Sequence, residues 1–290
     1  IFLSFVLFIL VLMPTVKTFA VQQDRIARLK STDAASGRTS PIFGWVGLIG
    51  LIIVFALLFV ATPQKSSIDA LEAFDHAGSG FNYMTLSQPD KAIVEYQAAI
   101  ELKPRFVIAH ILLGNARLSL GEADKSHDSF LTAATLEPEN SASHAGLGWS
   151  YYQQGKDELA KGKFLEALGF DAQNLDAHLG LGWVYLQDED YDLAQKKFND
   201  VLGIDNQNLS GHLGLGWVYL GQFDLEDSRK EFEYVRSIAP EFADSYFGLG
   251  VLELSAYDFD SSIELMDETL RLNSNLPGAY YFKGLAYYKQ

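Results

Sequence analysis

The stretch HLGLGWVYL at residues 178–186 returns letter for letter at 212–220, and a close variant, HAGLGWSYY, stands at 144–152. The spacing between copies is 34, and it holds far beyond them. Glycine recurs at Gly80, Gly114, Gly148, Gly182, Gly216, Gly250 and Gly284 with no insertion or deletion. Leucine precedes it at Leu113, Leu147, Leu181, Leu215 and Leu249. Twelve places after each glycine comes a small side chain: Ala92, Ser126, Ala160, Ala194, Ser228 and Ser262. Sixteen places after it comes a large one: Tyr96, Phe130, Phe164, Phe198, Phe232 and Met266. Pro104, Pro138 and Pro240 close three of the units.

A fixed period of this length marks a stacked-repeat architecture, in which no unit buries its apolar face alone and neighbours supply the core. Small residues at the glycine and Ala/Ser places let paired helices approach to ~8–10 Å, and the large residue fills the space beside them. The order Leu-Gly, then Tyr, Ala, Phe and Pro resembles the tetratricopeptide repeat family over about three quarters of the chain. The resemblance implies an all-α fold, a right-handed α-solenoid of six to seven helix–turn–helix repeats. In this frame the solenoid spans 73–290, with repeats opening at 73, 107, 141, 175, 209 and 243 and a partial seventh at 277. No polar capping helix follows that last half-unit, so either the protein continues or another surface is expected to cover this end.

Charge divides the chain. The whole has 290 residues and a formal net charge of −15. Residues 1–64 hold five basic and two acidic residues, a net of +3, which leaves −18 on the remainder. That balance argues against nucleic acid, whose phosphates need Lys and Arg. The absence of cysteine removes disulfides, thiolate metal sites and cysteine catalysis. Residues 1–16 and 41–63 are apolar and free of charge, and ~20 such residues span a hydrocarbon core. We expect two transmembrane helices there, the first truncated at its start. A basic connection over 17–40 lies between them, and a linker over 64–72 leads to the solenoid. The Lys and Arg of the connection place it in the cytoplasm, so the solenoid is expected across a bacterial inner membrane, in the periplasm. The layout is similar to that of the cytochrome c maturation tetratricopeptide factor, at the level of topology only.

Acidic residues gather where second helices should begin: Asp157 and Glu158; Asp188, Glu189, Asp190 and Asp192; Asp224, Glu226 and Asp227; Asp258 and Asp260. Carboxylates there cap free N–H groups and meet the positive end of the helix dipole. Asp188, Asp190 and Asp192 begin like a calcium loop, but Leu193 replaces the needed glycine and Asn199 the closing Glu.

His76, His110, His144, His178 and His212 share one repeat position, continued by Tyr246 and Tyr280. Successive copies lie about 10 Å apart, too far to share a zinc ion held at ~2.1 Å. His110, His144, His178 and His212 are therefore read, with the seven glycines, as structural positions, each imidazole replacing a large aromatic residue between helices. Trp149, Trp183 and Trp217 repeat one place after the glycine, where Asn115 stands in the second unit. In tetratricopeptide proteins this place faces the concave groove that peptide ligands occupy. Asn115, Trp149, Tyr152, Gln153, Trp183, Gln187, Trp217 and Leu220 are accordingly the expected protein-binding groove; packing between repeats is the competing role for the tryptophans. The basic clamp of chaperone-binding relatives is absent, because Ala145, Leu179 and Leu213 occupy its lysine places and only Asn115 matches its asparagines.

No phosphate loop, nucleophile elbow, zincin motif or dinucleotide fingerprint is present, so neither catalytic residues nor cofactor nor metal is expected. The expected function is a membrane-anchored scaffold or adaptor that binds protein partners, subunits of a membrane complex. The alternatives are the repeat tail of a polytopic membrane enzyme such as a glycosyltransferase, and a periplasmic assembly chaperone holding client polypeptides.

Overall fold

The core is built around one large side chain per repeat. Tyr96, Phe130, Phe164, Phe198, Phe232 and Met266 are all fully buried. A Cβ at Gly148 would lie 2.5 Å from the Phe164 ring, and one at Gly180 in the following repeat would also overlap that ring. Phe164 is thus clasped between a glycine of its own unit and one of the next. Phe130, Phe198 and Phe232 are clasped in the same way, by Gly114 and Gly146, Gly182 and Gly214, and Gly216 and Gly248. Fully burying such a ring contributes roughly 1.5–3 kcal/mol, and here the burial also welds one repeat to the next.

The computed structural model describes residues 65–290. Among them are thirteen α-helices and no strand. They are α1 (Lys65–Thr85), α2 (Pro89–Leu102), α3 (Val107–Ser119), α4 (Ala123–Leu136), α5 (Ser141–Gln153), α6 (Asp157–Phe170) and α7 (Leu175–Gln187). They continue as α8 (Tyr191–Ile204), α9 (Leu209–Gly221), α10 (Leu225–Ile238), α11 (Ala243–Ser255), α12 (Phe259–Leu272) and α13 (Pro277–Lys289). Odd-numbered helices are the first of each pair, and α3 to α13 open at the residues where the 34-residue frame opens. Residues 65–72, within the expected linker, are helical and form the first turns of α1. Polar Ser66, Ser67, Asp69 and Glu72 look like linker by composition, yet Ile68, Leu71 and Phe74 give the segment an apolar face. The two apolar stretches and the basic connection lie outside the described residues. Among the described residues no helix is long and apolar enough to cross a membrane.

Capping follows the repeat. Asn140, Asn174 and Asn208 accept from the backbone N–H of Ser143, Ala177 and Gly211 and so start α5, α7 and α9. Asp190, Asp224 and Asp258 do the same for α8, α10 and α12 through Leu193, Asp227 and Ser261. Three of the turn acids are therefore N-caps. Asp157, Glu158, Asp192, Glu226, Asp227 and Asp260 lie in first turns, whereas Asp188 ends α7.

Successive first helices touch, α3 with α5 and so on to α13, whereas successive second helices do not. A stack whose first helices are closer together than its second helices bends toward the first. The odd-numbered helices from α3 onward therefore line the inner, concave face.

Candidate protein-binding groove

On α7 the fully buried residues are Ala177, Leu181 and Val184. At helical spacing beside them runs a second stripe, Asp176, Leu179, Trp183 and Gln187, which is exposed or half-buried. The same division on α5 and α9 leaves Trp149 and Trp217 half-buried on the inner face. Each indole meets the core phenylalanine of its own repeat edge to face, with centroids 5.4 Å apart for Trp149–Phe164, 5.3 Å for Trp183–Phe198 and 5.3 Å for Trp217–Phe232. Tyr152 lies against Trp149 at 5.7 Å, and Phe247 continues the row at 5.7 Å from Trp217. The tryptophans thus pack by one edge and stay open by the other. Such a half-buried ring is already ordered, which keeps the entropy cost of using it as an anchor small.

Other expected groove residues are engaged differently. Gln153 donates to the Leu118 carbonyl at 2.9 Å, and Gln187 donates to Asp157 at 2.8 Å, so both tie a first helix to the preceding repeat. Leu220 packs against two core clusters, one formed by α9, α10 and α11 and one by α11, α12 and α13. Asn115 is exposed and makes no side-chain hydrogen bond among the described residues. Burial, and then the charge of Asp157, raise the Tyr152 hydroxyl above its ordinary range.

The histidines do not face the groove. His110 Nε2 donates to the Pro104 carbonyl at 2.9 Å, His144 to Pro138 at 2.8 Å, His178 to Ala172 at 3.0 Å and His212 to Asn206 at 3.2 Å. Tyr246 and Tyr280 donate to Pro240 and Ser274 in the same register. Each side chain therefore straps its helix to the turn from the preceding repeat. On the other nitrogen, His144 meets Glu166 at 3.0 Å and His212 meets Glu231 at 2.6 Å. These bonds escape sequence reading because the acceptor is a backbone carbonyl that any residue would offer. Among the described residues no group of three or more His, Cys, Asp or Glu converges as a metal site.

Two groove residues carry no signal in the repeat consensus. Asp176 and Asp244 are the second residues of α7 and α11 and begin their inner stripes. Burial raises both carboxyls above their ordinary range.

The tetratricopeptide repeat model matches this sequence over residues 82–135, 111–174, 146–208 and 213–277. The chain belongs to the tetratricopeptide repeat family. Members of this family typically act as protein–protein interaction scaffolds, and the fold suggests protein partners. A similar fold occurs in the Cut9–Hcn1 hetero-tetramer of APC/C, with a TM-score of 0.65, 18% identity and coverage of 74% of this chain. This chain spans only 42% of that one. TTC0263 of Thermus thermophilus, described as a thermophilic tetratricopeptide protein, gives 0.58 at 18% identity, covering 63% of this chain and 99% of its own. The pilF protein of Pseudomonas aeruginosa gives 0.55 at 18% identity, covering 75% and 99%. At this identity the likeness is one of fold. No curated protein matches the sequence.

Proposed function

We propose that this protein is a non-enzymatic, membrane-anchored scaffold whose inner groove holds a segment of a partner protein and so assembles or stabilises a membrane-associated complex. The carrying observation is the row of half-open indoles, Trp149, Trp183 and Trp217, brought into register on α5, α7 and α9 by the 34-residue period. Aromatic anchors in a preformed concavity are what a peptide-binding interface requires. The anchor rests on the sequence: the apolar stretches 1–16 and 41–63 and the basic residues between them favour two spans with the repeats on the periplasmic side.

The test is cross-linking followed by affinity capture of the full chain from native membranes. Trp149→Ala, Trp183→Ala and Trp217→Ala, each shown by circular dichroism to stay helical, should lose the partners that the unaltered chain retains. A defined set of partners fits a scaffold; a heterogeneous population of unfolded chains fits a chaperone. Undiminished capture by all three variants would refute the groove.

A further inference from the structure

Four adjacent first helices, α5, α7, α9 and α11, contain neither Lys nor Arg. Their acidic residues are Asp176, Asp244 and Glu253. Glu253 is already satisfied: it is buried and bound through both carboxylate oxygens by Arg229 of α10. Asp176 and Asp244 make no hydrogen bond or ion pair among the described residues. Neither serves as a helix cap. Asn174 caps α7 through the Ala177 N–H, and the α11 N-terminus has no side-chain cap. Asp176 is open to solvent and Asp244 half-open, yet the protein around each withdraws enough water to disfavour the charged form. Both stand in the first turn of their helices, where the dipole favours the charge, and a partner's basic side chain would meet no competing cation from these four helices.

We propose that the groove selects an extended peptide segment carrying two basic side chains, which pair with Asp176 and Asp244, and apolar side chains between them, which lie on Trp183 and Trp217. This rests on the groove being the partner site. The aspartates stand two repeats apart, with Ser210 at the equivalent place of the unit between them. Neighbouring inner helices pack at ~8–10 Å, so the carboxylates are about 20 Å apart. An extended chain advances ~3.3 Å per residue, which places the two cations about six residues apart.

The probe is a fluorescein-labelled peptide with two lysines six residues apart and leucine and phenylalanine between them, titrated against the full chain by fluorescence anisotropy. Its counterparts carry norleucine in place of lysine, or lysines three residues apart. The lysine peptide at six-residue spacing should bind about tenfold or more tighter than either counterpart, the scale of a charge-assisted hydrogen bond. Asp176→Asn with Asp244→Asn should erase that preference while the chain stays helical. Equal binding of lysine and norleucine peptides, a preference that survives the double substitution, or no binding of any peptide would overturn the proposal. Trp183→Ala separates the two ideas. If the lysine and norleucine peptides bind alike and both weaken in this variant, the groove stands and the cation rule falls. If neither weakens, the groove reading falls as well.

Discussion

His178 shows how one side chain ties a helix to the turn before it. It is buried, it lies 3.4 Å from Asp200 on α8, and its Nε2 donates to the Ala172 carbonyl in the turn before α7. Removing it breaks the strap to the Ala172 carbonyl in an exposed turn and leaves a cavity where the buried ring stood. His178→Ala should therefore destabilise the solenoid by about 2–3 kcal/mol. His178→Tyr should retain most of the stability, because Tyr246 and Tyr280 make the equivalent bond through their hydroxyls. Urea denaturation of the three proteins checks this. The two groove aspartates behave oppositely to a structural acid. Their carboxyl pKa is raised in the folded state, so the fold binds protons more tightly than the unfolded chain does. Stability is then lost as pH rises through the carboxyl range, and the penalty is complete at neutrality. Asp244→Asn should raise the melting temperature at pH 7, and the gain should shrink as pH falls toward 4. Glu166 has the reverse sign. The Lys163 hydrogen bond, opposed by partial burial and aided by the charges of Lys163 and His144, lowers its carboxyl. Its contribution is present above the ordinary carboxylate range and disappears as pH falls through the lowered value.

Helix ends and turns carry the next level of information. Each turn inside a repeat places one residue in the left-handed region, again at a period of 34: Ser87, Gly121, Gly155, Glu189, Phe223 and Tyr257. Only two of the six are glycine, and Phe223 has φ 62° with 84% of its surface exposed. A left-handed non-glycine residue costs about 1–2 kcal/mol, part of which glycine returns through its freer unfolded chain. Phe223→Gly should therefore stabilise the protein by roughly 0.5–1 kcal/mol, read as a higher denaturation midpoint with an unchanged slope. Much at this scale was legible. The 34-residue period locates the helix pairs, and the turn acids include three true caps. The recurrence of Asn140, Asn174 and Asn208 at the same period was equally open to reading. The helical start of α1 was not legible, because a short polar stretch beside an apolar one reads as a junction whether or not it winds.

For the molecule as a whole, the sequence pattern and the structure agree on a stack held by residues shared between units. Phe164 between Gly148 and Gly180 is the clearest instance. Curvature was not legible, since it depends on which helices of neighbouring repeats approach, and the periodicity is the same either way. The candidate groove was legible in its tryptophans, which repeat. It was not legible in Asp176 and Asp244, which stand at only two of the repeats and gain meaning once α5, α7, α9 and α11 are seen to carry neither Lys nor Arg. Gln153 and Gln187 fall on the right helices, yet they spend their amides tying repeats together.

The central claim, that a partner lies along the inner face, is tested most directly by site-specific photo-cross-linking in the full chain. A photoreactive residue replacing Asn115, exposed on inner helix α3, is compared with one replacing Lys196, exposed on α8. The account predicts a defined partner adduct from position 115 that disappears in the Trp183→Ala background, and none from position 196. An adduct from position 196 alone, or one from position 115 that survives the tryptophan change undiminished, would contradict it.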